Sequence, residues 1–464
     1  MEMKWEKLLS DMRIRDLFEQ AKPRKKNHRT EYERDYDRAI FCTPVRRLHD
    51  KAQVFPLEPN DSVRRRLTHS LEVSTVARDI GRAIGGWLEE KDEIDKEQAK
   101  DIETIAATCG LIHDLGNPPF GHAGETAIKE WFKRKLEEDK AFFDGICGEE
   151  SQYAQDFLRF ESNAQTLRLI SKLQILSDLY GLNFTCATVS AACKYTVPSH
   201  RIDKSVPEKA KTGYFASEQN LIHSVRKQTG TGDARNPITF IVEACDDMVY
   251  SVVDLEDAIT KNLFDWKTLK EKLEKHGGKE NSVLKRCFRE ARNMIKKPGA
   301  VELHGRSEDE AMGEAFRVYA IGELVSAAIE TFRNKYTEIM EGNYHRELLL
   351  DSKAAPLLKA CKDVGTEDVY CAKDNLKLEV MGKHIIHDLM DIFWEAVLQT
   401  TSGNGAFSRK VYHLMSENYR TVFESTVRQR KLPKEYCCMQ LITDYICGMT
   451  DTFASTLHKQ LKNA

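Results

Sequence analysis

The chain has 464 residues, 41% of them hydrophobic and 31% charged, with a formal net charge of −3. That length accommodates one large core or two to three ordinary domains, and the composition is that of a globular protein. The near-neutral balance excludes a polycation that coats nucleic acid, and no apolar run reaches the length that spans a bilayer.

The N-terminal stretch MEMKWEKLLSDMRIRDLF lacks the apolar centre of a secretory signal, so a cytoplasmic location is expected. Residues 1–40 are expected to form an N-terminal arm, with AKPRKKNHRTEYERDYDRAI (21–40) as its charged, exposed part. RRLHDKAQVFPLE reads as irregular. Helical periodicity then recurs along the chain, over 62–90, 97–116, 124–139, 163–181 and 237–260, and from Glu308 to about Met340. It returns in 374–399, 407–429 and 434–462. VPSHRIDKSVPEKAKTG (197–213) and Lys272–Asn281 read as loops, the second around Gly277-Gly278. Asp368–Cys371 and Leu376–Val380 are the only weak strand candidates. The pattern predicts a nearly all-α fold, with one large helical core over 41–345. A helical C-terminal region, 346–464, is expected to use Phe393, Trp394, Tyr412, Tyr445 and Phe453 for packing and subunit contacts. The twelve cysteines show no CxxC pair, which argues against a zinc ribbon or a disulfide framework and for small, reduced core residues.

One stretch concentrates chemistry. LIHDLGNPPFGHAGE (111–125) places two imidazoles and two carboxylates around a rigid turn. Histidine with carboxylate suits a divalent cation of intermediate hardness. Adjacent side chains on a regular helix point about 100° apart, so His113 and Asp114 can share one metal only at a helix end, which Gly116 and Pro118 supply. His69, in RRRLTHSLEV, is a further ligand candidate, although an imidazole on an apolar helix is also read as a hydrogen-bonded, semi-buried residue. EACDDMVYSVVDLED offers Asp246 and Asp247. Two other His-Asp pairs exist. His49-Asp50 lies in the irregular segment, and His387-Asp388 lies mid-helix without a break, where a structural role is the expected reading. Past the turn, His122 and Glu125 stand three apart, so the carboxylate can fix the imidazole's tautomer and raise its basicity for general acid or base work. The competing role for Glu125 is capping of its own helix N-terminus.

Together, RRLHDKAQVFPLE, RLTHSLEV, LIHDLGNPPFGHAGE, FESNAQTLRL and EACDDMVYSVVDLED resemble the deoxyguanosine triphosphate triphosphohydrolase branch of the HD-domain metal-dependent phosphohydrolases. KTGYFASEQN is a weaker likeness, and the match runs from roughly residue 38 to 260. The resemblance implies one divalent metal, Mn or Mg first and Fe, Co, Ni or Zn also open, held by His69, His113, Asp114 and Asp246. Asp246 is chosen over Asp247 because Asp246, Tyr250 and Asp254 fall on one helix face, in the order of the family's Asp, Tyr and Asp. The same resemblance makes His122 and Glu125 the catalytic pair, assigns Gln53 to the sugar 3′-hydroxyl and sets Tyr250 against the sugar face. Arg66, Lys194, Tyr214 and Asp254 become phosphate or sugar contacts, with Asn163 beside base or phosphate. This chain carries Asn117 where a vertebrate relative has a further His, so roles assigned to that His do not transfer.

The implied reaction is hydrolysis of deoxynucleoside triphosphates, dGTP preferred, to deoxynucleoside and inorganic triphosphate. The implied assembly is a tetramer or hexamer, with single-stranded DNA or a dNTP as effector in some members and no membrane partner. Two alternatives are an HD-domain phosphodiesterase or nucleotidase acting on another nucleotide, and a non-catalytic nucleotide- or DNA-binding regulator using basic runs such as PRKKNHR and VRQRKLPK. The complete set of four ligands with His122 and Glu125 favours catalysis.

Overall fold

A computed structural model describes residues 2–20, 28–146, 148–175, 178–296, 308–403 and 405–462. Among them the fold is all-helical apart from one two-residue and one three-residue strand, Val197–Pro198 and Thr212–Tyr214, paired in parallel. Both fall in the segment expected to be a loop. The periodic stretches form helices at Arg66–Glu90, Lys96–Ile112, Gly121–Glu138, Pro237–Thr260, Glu308–Asn334 and Lys373–Thr401.

Several expectations are corrected. The 163–181 run is helical only at Ser162–Arg168 and then widens into a π-helix at Leu169–Leu173. Lys272–Asn281 is not wholly a connection, since Trp266–Gly277 is helical. Neither strand candidate forms. Gly365–Val369 is a π-helix, and Leu376–Val380 lies inside the Lys373–Thr401 helix. The N-terminal segment is not an exposed arm where it is described: Trp5, Leu8 and Ile14 are buried. Glu31–Phe41 is a helix opened by a Thr30/Glu33 capping box, and it buries Tyr32, Asp35 and Ala39. Residues 21–27, with most of the PRKKNHR run, lie outside the described residues.

The core is built as two clusters. One gathers around the Pro237–Thr260 helix, which is buried along most of its length. The other joins the Gly121–Glu138 helix to the C-terminal helices through Trp131, Phe132, Ile386, Phe393 and Tyr436. Phe393, Trp394, Tyr412 and Tyr445 pack there, whereas Phe453 stays about half exposed. No described helix is long and apolar enough to cross a membrane. Of the described cysteines, all but Cys193 and Cys371 are buried, and all are free thiols.

Candidate active site

Small residues bring the first two histidines together. The Arg66–Glu90 and Lys96–Ile112 helices run antiparallel: Ser74 Oγ donates to the Ala107 carbonyl at 2.7 Å, and Arg82 pairs with Glu103 further along. Gly110 sits so close that an added Cβ would lie 2.8 Å from Ser74 Cα. At that separation the rings of His69 and His113 meet edge to face, 5.3 Å between centroids.

His113 is the C-cap of its helix, the helix end that lets it and Asp114 face one point. Its Nδ1–H donates to the Gly110 carbonyl at 2.7 Å, which fixes the tautomer and leaves the Nε2 lone pair directed inward. That Nε2 is buried without a hydrogen-bond partner, as is His69 Nδ1. Asp246 arrives from the Pro237–Thr260 helix, its Oδ1 lying 3.2 Å from His69 Nε2 and 3.4 Å from His113 Nε2. His69, His113 and Asp114 each offer a ligand atom within 4.8 Å of the others. Two imidazoles and two carboxylates around one point, with an orphaned ring nitrogen among them, fit a divalent metal. HD domains bind such ions.

The neighbouring charges hold this group in order. Arg66 pairs with Asp114 Oδ2, and the Asn117 side-chain amide donates to Asp114 Oδ1 at 2.6 Å. Asn117 therefore orients a carboxylate at the position where a histidine was noted in a relative. Asp247 also lines the cavity but pairs with Lys362 at 3.0 Å. Burial opposes charge on His113, but Asp114 and Asp246 outweigh it and raise the metal-free imidazole to about 9. Burial likewise opposes the Asp246 anion, but His113 and His69 hold it well below the usual carboxylate range. Lys194, 3.8 Å from Asp246 and 4.0 Å from Glu243, is held well above the lysine range by those carboxylates despite its burial.

Beyond the turn, Phe120 takes a left-handed backbone (φ 63°) and starts the Gly121–Glu138 helix. His122 is exposed on the wall of a cavity, with protein packed around its ring. Burial first, and Arg66 second, lower its pKa and favour the neutral ring. No hydrogen bond joins His122 to Glu125. The carboxylate instead accepts from Lys129 Nζ at 2.6 Å and Ser162 Oγ at 2.6 Å, and from the Ser162 amide at 3.3 Å. It therefore caps the Ser162–Arg168 helix rather than its own. Burial raises the Glu125 pKa, but Lys129 and Ser162 outweigh it and keep the group anionic.

These residues line a cavity of about 470 Å³, within the range of small-molecule sites. Gln53, Arg66, His113, Asp114, His122, Glu125, Asn163, Lys194, Asp246, Tyr250 and Asp254 all face it, and His69 lies at its floor against His113 and Asp246. Tyr214 is the exception. It is 4% exposed on the Thr212–Tyr214 strand with its ring against Arg226, outside the cavity, so its reading as a substrate contact is withdrawn. Lys211, at the head of the same KTGY run, lines the cavity instead and pairs with Glu161 at 3.4 Å. The C-terminal region adds residues that sequence reasoning missed: Tyr370, Asn375 and Glu379 form one wall. Tyr370 donates to Asp254 Oδ2 at 2.8 Å, and burial lifts the Asp254 carboxyl to about 8. Tyr370 was legible only as part of a strand-like DVYC, and nothing in that run signals a site. The remaining His-Asp pairs are structural: His387 contacts the Ala127 carbonyl at 3.0 Å, and His49 contacts the Arg46 carbonyl at 2.6 Å.

Comparison with known proteins gives the same outline. Residues 66–150 match the HD domain model, and residues 349–460 match the phosphohydrolase-associated domain model. The second match covers the C-terminal region, where the sequence alone shows little likeness. The chain is 36% identical to a deoxyguanosinetriphosphate triphosphohydrolase-like protein of Listeria monocytogenes, covering 99% of both chains. It is 31% identical to a similarly named protein of Synechocystis, again over 99% of both. It is also 31% identical to the deoxyguanosinetriphosphate triphosphohydrolase of Yersinia enterocolitica, over 93% of this chain and 94% of that one. An HD domain joined to its associated domain, in a chain matched over nearly its whole length by these relatives, identifies a hydrolase, and the chain belongs to the deoxyguanosinetriphosphate triphosphohydrolase-like family of HD-domain phosphohydrolases.

Proposed function

We propose that this protein hydrolyses deoxynucleoside triphosphates, dGTP preferred, to the deoxynucleoside and inorganic triphosphate, with one Mn or Mg ion per site. The observation that carries the reading is the meeting, in one cavity, of the His69–His113–Asp114–Asp246 group with His122, Glu125 and three cationic side chains. Those four residues would hold the ion, which when bound polarises a phosphate oxygen and offsets its charge.

The chain's own groups supply the rest. Arg66, Lys194 and Lys211 face the cavity and balance triphosphate charge, the guanidinium by a forked donor pair and the ammonium groups as point charges. The lowered pKa of His122 favours its neutral ring, which can take the proton of the water whose oxygen bonds to the α-phosphorus and then hand that proton to the 5′-oxygen as the P–O5′ bond breaks. Glu125 stays anionic and steadies the charge that His122 then gains. Gln53 Oε1 is buried without a partner, an acceptor suited to a sugar 3′-hydroxyl. Tyr250 presents its ring to the cavity where a ribose 2′-hydroxyl would collide. The dGTP preference rests on the name of the Yersinia relative. Assembly as a tetramer or hexamer, and activation by a dNTP or single-stranded DNA, belong to the same proposal and are tested by sedimentation with and without those effectors.

The deciding experiment is chromatographic product analysis with chelator-stripped protein, Mn or Mg restored, each of the four dNTPs, and GTP as control. Deoxyguanosine plus triphosphate is the expected result. Monophosphate plus pyrophosphate would refute cleavage at the 5′-ester, and GTP turnover equal to dGTP would refute the role given to Tyr250.

A further inference from the structure

Two backbone segments that carry proposed site residues come from distant parts of the chain. Ala52 immediately precedes Gln53, and Phe120 lies two residues before His122. Both residues line the cavity, and both donate their amide N–H groups to one carboxylate of the C-terminal region. Asp451 Oδ2 accepts from the Ala52 amide at 3.0 Å, and Asp451 Oδ1 accepts from the Phe120 amide at 2.9 Å. Asp451 is 2% exposed and opens the Asp451–Lys462 helix.

The contacts around it repeat the pattern. Lys51, also buried, donates through Nζ to the Asn117 carbonyl and to the Cys447 carbonyl, tying the same turn to the end of the Lys434–Cys447 helix. Thr452 Oγ1 donates to Asp50 Oδ1 at 2.8 Å, and Arg47 donates to the Gly448 carbonyl at 2.9 Å. The elbow Cys447–Thr452 therefore grips residues 47–52 directly, and the turn Asn117–Phe120 through Asp451 and Lys51. Phe120 also holds a positive φ that a non-glycine residue rarely adopts, so its amide needs a fixed partner. A carboxylate offers a separate acceptor oxygen to each of the two donors, whereas the isosteric Asn amide has only one acceptor atom.

We propose that Asp451 is a positioning residue: it sets the distance between the Gln53 segment and the His122 turn, and so couples recognition of the sugar to catalysis. The catalytic part rests on the function proposed above; the clamp itself does not. Asp451 bonds none of His69, His113, Asp114 and Asp246, and metal content is measured separately because the gripped turn carries Asn117.

The test uses the full-length chain and Asp451→Asn, which leaves one acceptor and turns an amide NH2 toward a backbone N–H. Hydrogen–deuterium exchange is read on peptides covering 49–55 and 116–123. Both should exchange faster in D451N than in the wild type, while peptides covering Arg66–Glu90 stay unchanged. Metal content per chain should remain at the wild-type value. With dGTP, kcat/KM should fall about 10- to 100-fold, as a displacement of about 1 Å in a reacting geometry costs. The preference for dGTP over 2′,3′-dideoxyGTP should shrink at the same time, because Gln53 is no longer held in register. Unchanged exchange in either segment overturns the clamp. Faster exchange with activity lost only in proportion to unfolded or metal-free protein, and the dGTP/dideoxyGTP ratio intact, overturns the positioning role. Wild-type protein without dNTP turnover would refute the function proposed above and leave the exchange result to decide the clamp. Should D451N not fold, Asp451→Glu keeps both acceptor atoms displaced by one methylene, and the same comparisons apply in milder form.

Discussion

With the metal stripped, the place of His113 between two carboxylates gives a pH dependence of definite sign. In the metal-free protein His113 sits between Asp114 and Asp246, and its pKa is raised from 6.5 to about 9. A raised histidine binds its proton more tightly when folded, so its stabilisation is complete below pH 6.5 and is lost as pH climbs through 9. The shift corresponds to about 3 kcal/mol at about 1.4 kcal/mol per pKa unit. With an unfolding entropy of about 2.1 cal/mol/K per residue over a chain of this length, that is a Tm change of about 3 °C. The assay is thermal denaturation of chelated wild type and chelated His113→Ala at pH 6.5 and at pH 9. The wild-type advantage over H113A should shrink by about 3 °C between the two. An advantage that is flat or grows with pH would show that the imidazole is not held between those carboxylates, and the ligand arrangement would have to be redrawn.

His113→Ala should also bind metal at least about 100-fold more weakly, measured by metal content after dialysis, because a ligand is lost where even supporting residues cost 10- to 100-fold. His387→Ala should keep metal and turnover, since its ring contacts only a helix carbonyl. Tyr250→Ala should raise GTP hydrolysis relative to dGTP without loss of metal, which parallel kcat/KM and metal measurements would check. Gly116→Ala would place a Cβ 2.2 Å from the Ser162 carbonyl oxygen and 2.3 Å from the Thr166 amide nitrogen, so the Ser162–Arg168 helix must retreat. We expect a loss of about 1–3 kcal/mol in stability from that overpacking, with a drop in activity because the Ser162–Glu125 contact is strained, read by denaturation and steady-state rates.

Much of the helical order could be read in the chain, because an apolar stripe with period 3.6 is a local signal. The bringing together of His69, His113, Asp114 and Asp246 was legible for a different reason. Each ligand type stood at a helix end or on a helix face, and the family pattern supplied the order. What failed were the places where tertiary pairing decides. Tyr214 was read as a substrate contact from the resemblance alone, and Lys211, three residues earlier, was not singled out. A strand of only three residues, pinned by parallel pairing to Val197–Pro198, turned Tyr214 toward Arg226 instead. Strand register fixes which face a side chain takes, and a loop reading has no register to use. Likewise DVYC, with its strand-favouring Val and Tyr, spans the end of the Gly365–Val369 π-helix, where Tyr370 is the C-cap and finds Asp254.

The largest gap lay in the C-terminal region, and it has a single physical cause. Its helices are visible from their periodicity, but its service to the site runs through side chains that bond backbone groups hundreds of residues away. Asp451 to Ala52 and Phe120, Lys51 to Cys447, and Arg47 to Gly448 are such contacts. A backbone N–H or carbonyl carries no residue identity, so a partner that bonds it leaves no complementary residue in the sequence to find. An acidic residue at the head of a helix reads as an ordinary response to the helix dipole. Only its burial, and the two amides aimed at it, distinguish Asp451 from that role. His69 and Asp246 stand on helix faces and His113 and Asp114 at a helix end, whereas the Gln53 and His122 segments are bonded to the region that follows and the Tyr370 wall is part of it.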